Sequence, residues 1–240
     1  MDIEQIQLKA SKVHFGNTIQ KWNPHMKPYI YKKSKKVYIL DWRKIISSCK
    51  KVDEYIKELL VKEKKILFLS TKKSNREVVK EQAFNCGMPY IVNKWKGGFL
   101  TNFFETKKKL KELHELASFV QKDRFHQLNK KEQVIIQKRK NKLHNIYEGV
   151  IDLKRRPEAL FIIGLEQEKT ALREAQKVGI PVIGVCNTNC NPHSVDYVLP
   201  GNDEKLESSR FFASVVANAI KKVREKNSFE FREKQVSVSA

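Results

Sequence analysis

The sequence predicts a doubly wound, three-layer α/β domain with a parallel sheet, interrupted by an antiparallel helical hairpin. Three observations predict it. Short continuous apolar runs recur along the chain, and such runs suit strands buried on both faces of a parallel sheet. Helical patterns fall between them, and strand–helix–strand alternation defines the three-layer class. In one internal stretch, residues 101–153, strand-type runs vanish and a 3/4 apolar spacing takes over.

The chain opens on MDIEQIQLKA, which has two acidic residues and no apolar block. It resembles neither a secretory signal nor an Arg/Ser-rich transit peptide. Residues 1–36 form a basic-aromatic arm. Lys21, Lys27, Lys32 and Lys33 can neutralise phosphates, with Lys35 and Lys36 close behind. His14 and Trp22 can stack on bases, as can Tyr29 and Tyr31. Trp22 and Phe15 are equally readable as core anchors, because large aromatics are usually well buried. Pro24 and Pro28 argue against a helix, so the arm is read as extended or looped.

The α/β domain is discontinuous, over residues 37–100 and 154–226. Its strands are read at VYIL (37–40), ILFLS (66–70), ALFII (159–163) and VIGV (182–185), with shorter candidates at 90–92 and 197–199. Helices are read at 43–62, 74–85, 168–177 and 204–226, with Ser74 as a cap and Gly87 as a C-terminal stop. A polar tail, 227–240, closes the chain. Within 101–153, Phe103, Leu110, Leu113, Ala117 and Val120 form one seam, broken at Thr106. Ile136, Leu143, Ile146, Val150 and Leu153 form a second. Two seams joined by a polar tip predict a projecting hairpin that satisfies itself; two amphipathic helices lying on the sheet are the plainer alternative.

Charge points to the partner. The 240 residues carry 48 basic and 27 acidic side chains, a formal charge of +21, and 19 of those excess charges precede residue 151. One basic surface facing a polyanion explains that distribution, and nucleic acid is the commonest polyanion. No apolar run is long enough to span a bilayer, so no membrane partner is expected. Lysine outnumbers arginine 38 to 10. That bias suits an A/T-rich genome such as that of an organelle or a reduced bacterium.

The remaining motifs are weak for chemistry. Lys72 and Lys73 follow a strand at the sheet end where α/β folds bind ligands. Neither G-x-G-x-x-G nor G-x-x-x-x-G-K is present there, so no nucleotide cofactor is expected. The two lysines can instead hold a backbone phosphate. Lys94, Trp95 and Lys96 precede Gly97-Gly98 and form a candidate RNA-facing corner; the alternative is a tight turn with Trp95 buried, and here the glycines are assigned to the turn and the lysines to RNA. Cys186 and Cys190, with His193, lack the spacing of a structural zinc set, so no metal is expected. Asp41, Asp196 and Asp203 read as single acids at strand ends, not a catalytic pair.

Taken in order, VHFG, WNP-x-MKPYI, TKK, CG-x-PY, W-x-GG-x-LTNF, RRP-E-AL, IPV, NTNC-x-P, VDY and PGND closely resemble the family of the second protein of the bacterial small ribosomal subunit. The resemblance runs from about His14 to Arg224. It implies a flavodoxin-like, Rossmann-like α/β domain with an inserted helical hairpin. It also implies a non-catalytic role: binding small-subunit ribosomal RNA at the head–body junction, joining late in assembly, near the messenger exit. Neighbouring small-subunit proteins, including a large messenger-binding one, are the implied partners. The implied setting is a small ribosomal subunit in an organelle, a plastid before a mitochondrion, or in a bacterial cytoplasm. On this resemblance Asn23, Asn102, Lys107, Lys108, Arg155, Arg156 and Arg210 join the candidate RNA contacts.

The chain departs from the family at several motif positions. Gln20-Lys21 stands where arginine usually precedes the tryptophan, Lys94 and Lys96 replace Arg and Leu, Asn187 and Asn191 replace acids, and Glu207 replaces an arginine. Lysine keeps the charge but loses the bidentate fork. The competing readings are a nucleotide-dependent RNA-modifying enzyme with a Rossmann-like fold, which needs a cofactor loop, and an isolated regulatory nucleic-acid-binding module, which would not sediment with small subunits.

Overall fold

The computed structural model describes residues 11–61 and 64–238, with side chains as far as Lys226. Its centre is a five-stranded parallel sheet. β4 (Ile66–Leu69), β5 (Tyr90–Ile91), β6 (Ala159–Ile163), β7 (Val182–Cys186) and β8 (Tyr197–Pro200) lie in the order β5-β4-β6-β7-β8. Every residue of β4, β6 and β7 is buried. Their continuous apolar runs therefore mean what the sequence suggested: both faces are covered.

Connections run outward from β4 to one edge and from β6 to the other. Right-handed crossovers then place α2 (Arg76–Cys86) and α6 (Lys169–Val178) on opposite faces. The long α7 (Leu206–Val238) lies against both α2 and α1 (Trp42–Leu60) and completes one helical layer. Its backbone continues past the helix end expected at residue 226. The polar-tail expectation for 227–240 falls outside the described side chains, and residue 62, the expected end of α1, lies outside the described residues. Gly87 ends α2 in the left-handed conformation, as read. Ser74 does not cap it: Asn75 occupies the cap position, and the Ser74 hydroxyl donates to Asn75 Oδ1 at 3.0 Å. Asp41 caps α1, its side chain accepting from Arg43 N at 2.9 Å.

Two expectations change. VYIL is not a strand of the parallel sheet. It forms β3 (Val37–Leu40), the middle of a separate antiparallel sheet with β1 (Phe15–Thr18) and β2 (Ile30–Ser34), in the order β1-β3-β2. Only Leu40 of β3 is buried. The arm is thus folded, not extended or looped, with 3-10 turns at Ile19–Lys21 and Pro24–Tyr29 between its strands. Its partner strands lie close in sequence, Ser34 pairing with Val37 across a turn at Lys35-Lys36. A four-residue apolar run cannot distinguish this local pairing from burial in a long-range sheet.

The second concerns the hairpin. α3 (Phe103–Val120) and α5 (Lys130–Tyr147) pack against each other across a short α4 (Asp123–His126), and a capping box at Asn129 and Glu132 starts α5. Yet the seams do not only satisfy each other. Leu110, Leu113, Leu143 and Tyr147 are buried and continuous with the sheet's core, whereas the tip residue Phe125 is not part of that cluster. Thr106, read as a break in the seam, is buried, and its hydroxyl donates to Phe99 O at 3.2 Å. The hairpin root belongs to the core; its outer half does not.

Candidate nucleic-acid interface

The order β5-β4-β6 puts the topological switch between β4 and β6, where open α/β sheets receive ligands at the carboxyl ends of the strands. Here the protein fills that place with its own groups. Thr71 N and Oγ1 both donate to Glu168 Oε1 at 2.6 Å. Lys72 Nζ and Asn75 Nδ2 donate to Asp203 O at 3.2 and 3.1 Å, and Asn187 Nδ2 donates to Asp203 Oδ1 at 2.7 Å. The antiparallel sheet closes over them. Asn17 N donates to Thr188 Oγ1 and Asn23 N to Thr188 O, both at 2.7 Å. Asn202 Nδ2 donates to Phe15 O at 2.7 Å. A Cβ at Gly16 would collide with Thr188, so glycine is what lets the arm lie this close.

Two carboxyls of this layer are shifted by their surroundings. Burial pushes Glu168 up, against the hydrogen bonds from Thr71. Burial likewise pushes Asp203 up, only partly offset by Asn187 and the charge of Lys72. Cys186 and Cys190 are buried thiols, also raised by burial. Asp196, directly before β8, accepts from Val182 N of β7 at 2.8 Å.

The candidate contacts fall into groups. Lys21 and Lys27 in the 3-10 turns and Lys32 and Lys33 on β2 are exposed, with Lys35 and Lys36 at the β2–β3 turn. None of these lysines is in an ion pair among the described residues. His14 and Trp22 are half-buried; the Trp22 ring lies 5.2 Å from Tyr38. The Asn23 side chain is occupied, accepting from His25 N at 3.0 Å. A second group follows β4 and β5, which are neighbours, so exposed Lys73, Lys94 and Lys96 and half-buried Lys72 share one sheet end. Asn102, Lys107 and Lys108 continue it along α3. Lys108 pairs with Glu105 at 2.7 Å and sits over the Phe104 ring.

Four of the candidates stand apart. Trp95 is held by the protein: its indole Nε1 donates to Glu174 at 3.1 Å and its ring lies 5.0 Å from Phe99. Arg155 and Arg156 are exposed but directly precede β6, at the opposite, amino end of the sheet. Arg210 pairs with Glu81 of α2 at 3.6 Å.

Sequence reasoning missed Arg76, whose Nε and Nη2 donate to Thr71 O and Asn93 O and tie two strand ends together. It missed the exposed Trp42, with Arg43 over its ring. It also missed Glu174. The available signal there was a lone acid on the Ala171–Ala175 stripe of α6, a face that is otherwise apolar.

A sheet end filled by its own side chains and flanked by lysine-rich surfaces defines a strongly basic α/β protein. The comparisons narrow this. The sequence profile of the family described as ribosomal protein S2 matches residues 8–223. Two similar relatives are the small ribosomal subunit protein uS2 of Koribacter versatilis (strain Ellin345) and that of Acidobacterium capsulatum. Each is 37% identical over 219 residues, covering 91% of this chain and 73% of the relative. The chain belongs to the ribosomal protein S2 family, whose members are structural and not enzymatic.

Proposed function

We propose that the chain is a structural constituent of the small ribosomal subunit. It binds small-subunit ribosomal RNA at the head–body junction through phosphate contacts and contacts neighbouring ribosomal proteins there. The carrying observation is the sealed switch point. The groups that would hold a nucleotide at the strand ends are bonded to one another, while exposed Lys73, Lys94 and Lys96 beside them are in no ion pair among the described residues. A surface of that kind attracts a polyanion.

Within this reading the RNA faces the antiparallel sheet and the corner around Lys73, Lys94 and Lys96, and the helical hairpin is a docking arm for the particle. Arg155 and Arg156 reach a separate RNA segment, because they sit at the other sheet end. A messenger-binding ribosomal protein is a further partner. The lysine-rich composition supports an organellar ribosome, a plastid's first, although both relatives named above are bacterial.

Gradient sedimentation of cell extracts tests this. The chain should travel with small subunits from one compartment, and RNA crosslinked to it should be small-subunit ribosomal RNA. A chain that stays at the top of the gradient, crosslinked to unrelated RNA, contradicts it.

A further inference from the structure

The hairpin leaves the α/β body through the loop between β5 and α3, and five hydrogen bonds in that loop converge on one carboxylate. Trp95 Nε1 and Gly98 N donate to Glu174 Oε1 at 3.1 and 2.8 Å. Leu100 N, Thr101 N and Thr101 Oγ1 donate to Oε2 at 3.0, 3.3 and 3.4 Å. Glu174 is 8% exposed, and no ion pair to it exists among the described residues. Its charge is therefore met by N–H and O–H dipoles alone. Bonds to an ionised acceptor are roughly twice as strong as neutral ones, and leaving such donors or the buried charge unmatched is strongly unfavourable.

The geometry makes this more than local packing. Gly98, at φ +88°, turns the chain so that three successive segments present donors to the same side. Phe99, between them, lies 5.0 Å from Trp95 and 6.4 Å from Phe103 of α3. The first turns of α3 are thereby tied to α6, more than seventy residues away in sequence. Burial alone would push the Glu174 carboxyl up; the bonds from Trp95, Gly98, Leu100 and Thr101 outweigh it and hold the group below its ordinary range.

We infer that Glu174 is a positioning residue. It fixes the direction in which the hairpin leaves the α/β body, and so the place where the hairpin meets the ribosomal particle. The second half rests on the docking-arm reading above. Glu174→Gln tests it, because the amide keeps the size but turns one acceptor oxygen into a donor facing donors. In the full chain, with Cys49→Ser, nitroxide labels at Gln121→Cys and Lys177→Cys report the distance between hairpin and body. The parent should give one narrow distance distribution. Glu174→Gln should at least double its width, with unchanged far-ultraviolet dichroism, and lower incorporation into reconstituted small subunits by about tenfold, equivalent to about 1.4 kcal/mol.

A distribution as narrow as the parent's overturns the inference. So does a broad distribution with full incorporation, if cutting back the hairpin tip abolishes incorporation. If cutting back the tip leaves incorporation intact, the docking reading fails, while the broadened distances still support the directional role. Should Glu174→Gln not fold, Trp95→Phe removes one donor of the five and must give an intermediate width; an unchanged width there also overturns the inference.

Discussion

The parallel sheet and the helical hairpin handle apolar surface and charge in opposite ways. Residues 151–200, which supply β6, β7 and β8, carry no net charge, and β6 and β7 are wholly buried. Residues 101–150, which supply most of the hairpin, carry a net +6 and expose Phe104, Val134 and Ile135. One region builds the interior; the other presents a surface. The border between them does not follow the chain. It runs across the hairpin, between a root that shares the core and a tip that does not.

Cutting the hairpin at that border should separate the two regions most strongly. Replacing residues 117–136 with a short Gly/Ser linker keeps Leu110, Leu113, Leu143 and the Glu112–Arg139 ion pair at 2.7 Å. Loop closure changes only slowly with length, so the variant should unfold cooperatively near the parent's temperature, followed by dichroism. Its incorporation into small subunits should fall more than about tenfold. Replacing 104–152 instead removes buried root residues and should destabilise the sheet itself.

Next in size is a pair of single substitutions. Phe161→Ala, at a wholly buried β6 position, should cost about 3–5 kcal/mol in urea unfolding. Ile135→Ala, at a position 66% exposed, should stay within about 0.5 kcal/mol. Similar losses at both would erase the distinction between body and arm.

The smallest effect separates two buried carboxyls of one region. Glu168, at the start of α6, is raised, so its proton is held more tightly in the folded state. The resulting stability is complete below the unfolded pKa and is lost as pH rises through the folded value. Glu168→Gln, which keeps an acceptor for Thr71, should gain a few °C in thermal midpoint relative to the parent near pH 7, and that gain should vanish near pH 4. Glu174 is lowered, so its contribution is present above the ordinary range and lost as pH falls through the folded value. A pH scan of both Gln variants should show opposite signs.

Much of this was legible in the sequence. ILFL, ALFII and VIGV had to be buried strands, because such runs have no polar face to show solvent. The change to a 3/4 period marked the hairpin before any contact was known. What stayed hidden depended on long-range partners. VYIL reads alike in either sheet until Ser34 is seen opposite Val37. Trp95 stood open between RNA contact and burial in a turn, because its acceptor lies 79 residues on. Lys72 and Arg155 both looked like RNA contacts, and only the strand directions put them at opposite ends of the sheet. Thr106 looked like a break in an apolar seam because its acceptor, a backbone carbonyl, leaves no mark in the sequence.

The proposed contact of this chain with ribosomal RNA is chiefly between RNA phosphates and its own basic surfaces. Titrating the full chain against small-subunit ribosomal RNA across a range of salt tests it most directly. Each phosphate neutralised contributes roughly 0.7–0.9 to the log–log slope, so several contacts should give a slope on the order of several units, reduced by up to about two in the Lys32→Ala/Lys33→Ala variant. A slope near zero, unaltered in that variant, would mean that phosphate contacts do not drive binding.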